Sequence, residues 1–211
     1  IGDLVNLCKT VNPTSIESFD DYSLTFAFKF FGDFLKQLGL FGGIKLGLQF
    51  IPEAFMMIQT GIPKLILMTE VTGTDELLLQ EKLQILKKQV DATFGYRSRV
   101  LGHDEAQKYW KIRRESFNLL RKHVKGLHTA PFIDDVVVPV ERLPKFMPAI
   151  SKILDREKFV YTIAGHAGNG NFHIIPLLDF KDPALPDRVL QLSEEVYTLV
   201  QEYHGSITAE H

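Results

Sequence analysis

Two apolar stretches, Phe159 to Ala164 and Phe172 to Leu178, flank the segment GHAGNGNFH at positions 165 to 173. No other feature constrains the fold as tightly. Each flank has the length of a strand, and Asn169-Gly170 between them is a dipeptide suited to tight turns because both residues tolerate left-handed backbone. Two strands joined by this segment are therefore predicted. His166 closes the first and His173 is the second residue of the next, so the turn is expected to bring two imidazoles together.

Around this pair the chain alternates strand-like and helix-like periodicities. Strands are predicted at Ser15–Phe19, Lys64–Val71, Arg97–Leu101, Asp135–Val138 and Ser206–Ala209. Leu24, Phe28, Phe31, Leu35 and Leu38 follow helical spacing, and a second apolar helix is expected near Pro52 to Gln59. Thr74 is the expected cap of a helix whose inner face is Leu79, Leu83, Leu86 and Val90. Further helices are expected at Asp104–His123 and Glu141–Leu154, and along Leu185, Val189, Leu192, Val196, Leu199 and Tyr203, with Gly205 as the stop. Two helices on one face of a mainly antiparallel sheet, built twice, satisfy this order. The expected fold is α+β, made of two ferredoxin-like βαββαβ units spanning residues 1–211.

The 211 residues suffice for one large domain or two small ones, and a 45% hydrophobic fraction with 24% charged residues suits a folded globular chain. A net charge of −2 with no basic block argues against a nucleic-acid partner. Cys8 is the sole cysteine, which excludes an internal disulfide and suits a reducing compartment such as the cytoplasm. Residues 23–59 are apolar, but Lys29, Asp33, Lys36, Lys45 and Glu53 leave no uncharged run near the ~20 residues needed to span a bilayer. That stretch is read first as core, and second as an apolar face docking on another domain or on the inner surface of a membrane. The chain opens on Ile1 and stops at Glu210-His211 directly after a strand-like run, so it is expected to be a piece of a longer polypeptide.

His166 and His173 at strand ends suit a metal, since neutral imidazole is a common ligand, but a catalytic metal usually has three protein ligands. Glu210, on the strand after the next helix, is the candidate third. Hydrogen-bonded histidines around an ordinary hairpin are the competing reading. A phosphate cradle at Gly168 to Asn171 is disfavoured, because no Lys-Ser/Thr pair and no helix follow. Arg113 shares a helical face with Trp110 and Phe117. Its planar guanidinium matches a carboxylate bidentately, or its stem simply covers the core.

GHAGNGNFH, followed after one helix by SITAEH, resembles the C-terminal substrate domain of the FAD-linked oxidases, the D-lactate, glycolate and D-2-hydroxyglutarate dehydrogenase family. Residues 109–115, YWKIRRE, and 135–143, DVVVPVERL, resemble two further motifs of that family. The resemblance covers Tyr109 to His211 well and the first hundred residues loosely. It implies that His166, His173 and Glu210 ligate a divalent metal (zinc, manganese or iron), that His211 is the active-site base, and that Arg113 holds the carboxylate of a small 2-hydroxy acid. It implies FAD bound mostly by a separate N-terminal domain of the same polypeptide, with Gly170 and Asn171 the expected cofactor contacts from this chain. The electron acceptor and oligomeric state are not implied. Asn169 stands where the family pattern has Asp, and Phe117 and Ile133 stand where some 2-hydroxyglutarate-type members carry polar contacts. A metal-dependent hydrolase using His166, His173 and Glu210, and a non-catalytic binding module, are the alternatives.

Overall fold

The computed structural model describes residues 1–21, 51, 55, 61, 63–95, 98–123, 126–157 and 159–210, and at 115–123 the backbone alone. The chain divides into two compact units, one of Ile1–Ser18, Leu67–Val100 and Gly126–His211, the other of Phe19–Ile66 and Leu101–Lys125. The described strands are β1 (Ser15–Asp20), β2 (Leu65–Glu70), β3 (His128–Thr129), β4 (Asp135–Val137), β5 (Val160–Gly165) and β6 (Asn171–Leu178). They form one six-stranded sheet in the order β2-β1-β5-β6-β3, with β4 also on β6. The described helices are α1 (Gly2–Lys9), α2 (Glu76–Phe94), α3 (His103–His123), α4 (Leu143–Arg156) and α5 (Leu185–Glu202). The α+β class holds, but the described strands join a single sheet where a doubled ferredoxin-like plan calls for two. The two helices expected between Leu24 and Gln59 lie outside the described residues, as does nearly all of the apolar stretch.

The predicted hairpin is the spine of the first unit. β5 and β6 pair antiparallel, Val160 opposite Leu177 through Ala164 opposite His173. The far edge of β6 is shared by β4, which pairs Asp135 with His173, and β3, which pairs His128 with Leu178. Pro176 sits in the interval between those two partners, where a missing N–H breaks no ladder bond. Alternation then sorts the side chains. Ile16, Val136, Ile163, Phe172 and Ile174 join one core with Val5 and Cys8 of α1, Leu86 and Val90 of α2, Phe146 and Ile150 of α4, and Leu192 and Val196 of α5. Glu17, Asp135 and His173 have the opposite phase and occupy the other face. The sheet thus turns Ile16, Val136, Ile163, Phe172 and Ile174 to the helical core and Glu17, Asp135 and His173 to its other face.

Several local expectations need correction. Residues 98–101 form no strand; the Ser98 backbone N–H and hydroxyl instead donate to Asp91 Oδ1. The cap of α2 is Asp75, whose carboxylate accepts the Leu78 N–H at 3.0 Å, rather than Thr74. α5 ends one residue before Tyr203, and the left-handed residue that closes it is His204 (φ 56) rather than Gly205. Gly205 N–H bonds Val200 O and His204 N–H bonds Gln201 O, both at 2.8 Å, the double closure of a Schellman motif. Gly205 is required for closeness: a Cβ there would lie 2.3 Å from Val137 O. Beyond it, Ser206 alone bridges to Val137, so the strand expected at 206–209 shrinks to one bridge. Unanticipated elements are α1 and the two-residue β3.

Candidate metal centre

The end of the β5–β6 hairpin carries the centre. Ala164, His173 and Asp135 form a cross-strand row on the ionisable face, and His166 stands two residues beyond Ala164, in the same phase. The small Ala164 side chain leaves room beside His173, so the two imidazoles meet edge to face with centroids 5.6 Å apart. The turn is stapled by Asn169 and Asn171 N–H groups, both bonded to His166 O, and by Val138 N–H on Gly170 O. Gly170 is left-handed (φ 75), and a Cβ there would sit 1.9 Å from Val138 O. This turn is rigid for geometric reasons.

Glu210 arrives from the other direction, on the segment leaving Gly205. Its Oε1 lies 3.1 Å from His166 Nε2 and its Oε2 lies 3.7 Å from His173 Nε2. One donor atom from each of the three residues falls within 4.8 Å of the others. Tetrahedral ligands at ~2.1 Å from a cation stand about 3.4 Å apart, which the two measured distances bracket. The centre therefore brings together the three expected ligands.

A carboxylate also stands beside the other nitrogen of each ring. His166 Nδ1 is 2.7 Å from Glu17 Oε1, and His173 Nδ1 is 3.3 Å from Asp134 Oδ1. Glu17 is only 6% exposed. A neutral imidazole has one N–H and cannot serve acceptors on both sides. Either a protonated ring or a cation between Nε2 and Glu210 satisfies this arrangement. Hydrogen bonding to Asp134 raises the His173 pKa above its ordinary value, with burial opposing and the charges of Asp134, Glu210 and Asp135 adding. Four carboxylates (Glu17, Asp134, Asp135, Glu210) lie around the two imidazoles. Two imidazole nitrogens and a carboxylate suit zinc, iron or manganese. Each ring has the carboxylate support that orients metal-bound histidines.

Glu17, Asp134 and Asp135 were missed by sequence reasoning. The signal was present: each is an acid in or beside a strand that otherwise buries its neighbours. Asn171 and Gly170, the expected cofactor contacts, are engaged within the fold. The Asn171 side chain is 2% exposed and donates to Asp135 Oδ1 at 2.8 Å, while Gly170 packs against Val138 as described. Asn169, where the family pattern has Asp, is exposed. Ile133 is buried in the core shared with the helices, and the Phe117 side chain lies outside the described residues. Arg113 lies on α3 in the second unit, half-buried, beside an exposed Arg114. His211 lies outside the described residues. Among those residues, no helix is long and apolar enough to cross a membrane.

Residues 6–211 match the family described as FAD linked oxidases, C-terminal domain. The chain belongs to that family. Similar curated proteins include D-2-hydroxyglutarate dehydrogenase of Escherichia coli strain K12, 27% identical over 149 residues, which cover 67% of this chain and 15% of that protein. A mitochondrial D-lactate dehydrogenase [cytochrome] of Arabidopsis thaliana is 30% identical over 146 residues, covering 69% of this chain and 25% of the relative. Glycolate oxidase subunit GlcD of Bacillus subtilis strain 168 is 25% identical over 174 residues, covering 78% and 36%. The chain thus spans from 15% to 36% of the length of these three relatives.

Proposed function

We propose that this FAD-linked oxidase C-terminal domain holds the metal and the substrate of an enzyme that oxidises a small 2-hydroxy acid to the 2-oxo acid. The observation that carries the reading is the convergence of His166, His173 and Glu210 donor atoms, with Glu17 bonded to His166 Nδ1 and Asp134 3.3 Å from His173 Nδ1. The names of three relatives, which concern D-2-hydroxyglutarate, D-lactate and glycolate, support the substrate class. When bound, a divalent cation supplies Lewis-acid polarisation of the substrate hydroxyl and carboxylate, and the flavin, held chiefly by another domain, supplies a two-electron acceptor.

The chain's own residues do the rest. Glu17 and Asp134 fix the two rings, which keeps each Nε2 directed at Glu210 and the cation position. His211, joined directly to the ligand Glu210, takes the hydroxyl proton as the carbon–hydrogen bond is broken. The family motif at residues 109–115 makes Arg113 the candidate for the substrate carboxylate, a role that supplies registry rather than proton transfer.

A polypeptide joining this chain to its flavin-binding domain should oxidise D-lactate, glycolate or D-2-hydroxyglutarate with a dye acceptor. Activity should vanish on chelation and return with zinc, manganese or iron(II). The 211-residue chain with free FAD should be inert. Chelator-resistant oxidation would remove the metal from the reaction, and turnover by the chain alone would overturn the division of labour.

A further inference from the structure

The third ligand of the centre poses a mechanical problem. Residues 206–210 are exposed, and Glu210 itself is 45% exposed at its side chain, whereas an effective ligand must be held nearly still. Secondary structure supplies little: after the Ser206–Val137 bridge, no ladder continues. The Asp135 side chain provides a restraint next to the ligand itself. Asp135 Oδ2 accepts the backbone N–H groups of both Ala209 and Glu210 at 2.7 Å. Its other oxygen, Oδ1, accepts the Asn171 amide at 2.8 Å.

Asp135 is 7% exposed and Asn171 2%, so this carboxylate is anchored in the body of the fold while gripping an exposed segment. It also faces His173 across the β4–β6 pair, which ties the grip to the same strand that carries a ligand. Paired N–H groups on a single ionised oxygen form charge-assisted bonds, stronger than neutral ones.

We propose that Asp135 is a positioning residue: it locks the Ala209-Glu210 backbone so that the Glu210 carboxylate meets His166 and His173. It contacts no metal itself and acts through Glu210, and the relay rests on the metal-centre reading above. A carboxylate that only stabilised the fold would affect all ligands alike. A clamp on Glu210 loses its effect on metal once Glu210 is gone.

The test uses the full chain, metal-free, in two measurements. Hydrogen exchange at the amides of residues 209 and 210 should lose protection selectively in Asp135→Asn, with β5 and β6 amides unchanged. Zinc calorimetry should show Asp135→Asn weakening affinity about 10- to 100-fold, the usual cost of removing a residue that orients a ligand. In a Glu210→Ala background the same substitution should change affinity less than about twofold, the near-additivity limit for sites that no longer share a partner. Ala209→Pro deletes one of the two donors from an exposed position, and should weaken zinc binding in the same direction should Asp135→Asn fail to fold. Equal losses in both backgrounds, unchanged protection at 209 and 210, or full affinity in Ala209→Pro would overturn the clamp. A parent chain that binds no zinc, yet loses protection at 209 and 210 in Asp135→Asn, would sink the metal reading and leave the clamp standing.

Discussion

The centre is assembled from two regions of opposite mechanical character. The hairpin end holds His166 and His173 half-buried, each ring tied to a carboxylate and the turn between them stapled by backbone bonds. The segment after α5 delivers Glu210 from an exposed run that bridges to β4 at Ser206 and is gripped at residues 209 and 210 by Asp135. The two imidazoles are thus set when the sheet forms, and Glu210 is set by docking a segment onto it. Preorganisation is greatest where strands cross-pair and least where the chain leaves the sheet.

The largest expected effect breaks the comparison at the ligands. A four-ligand structural zinc supplies roughly 10–16 kcal/mol, so one imidazole is worth on the order of 3 kcal/mol, or ~10²-fold in affinity. His173→Ala should reach that loss in calorimetry. Glu210→Ala should cost less, because its exposed side chain surrenders more rotamer freedom on binding than the half-buried His173 ring. A larger loss for Glu210→Ala would reverse the ranking of the two regions.

A smaller effect sharpens the hairpin side. Glu17→Gln keeps a hydrogen-bonding group beside His166 Nδ1 but removes the charge that makes the ring a better donor. Zinc affinity should fall about 10- to 100-fold with protection at residues 209 and 210 unchanged. Altered protection there would mean that the two regions are not independent.

The smallest effect is in pH. The raised His173 pKa means the folded, metal-free chain binds a proton more tightly than the unfolded chain does. The stability from this group is therefore fully present below the unfolded value, near ~6.5, and is lost as pH rises through the raised folded value. Thermal melts in chelator across that interval should show a downward step that Asp134→Asn removes, since Asp134 is the leading cause of the shift. A step that survives in Asp134→Asn would assign it to another group.

Much of this fold was legible along the chain. The hairpin, the strands at Ser15 and Leu65, and the inner faces of α2 and α5 follow from periodicity, because burial on one face imposes a period of two or 3.6 wherever a core exists. The misjudged places are those where local signals compete. Ser206–Ala209 has a strand's composition but bridges only at Ser206, since the chain is held beyond that point by Asp135 rather than by a ladder. Gly205 looked like a left-handed stop, yet His204 takes that conformation and Gly205 serves close approach to β4. Both outcomes depend on where β4 lies, which no window of sequence around α5 contains.

Sequence by itself determined that two imidazoles would meet across a Gly- and Asn-rich turn, and which family motif Glu210 completes. Residue type and turn chemistry are local, so they can be read in order. Only the tertiary structure decided which acids stand behind the rings. Glu17 lies 149 positions from the His166 it supports, and Asp135 lies 75 from the Glu210 backbone it grips. Strand register brought those carboxylates to one face of one sheet, and register is a property of paired strands rather than of any one of them.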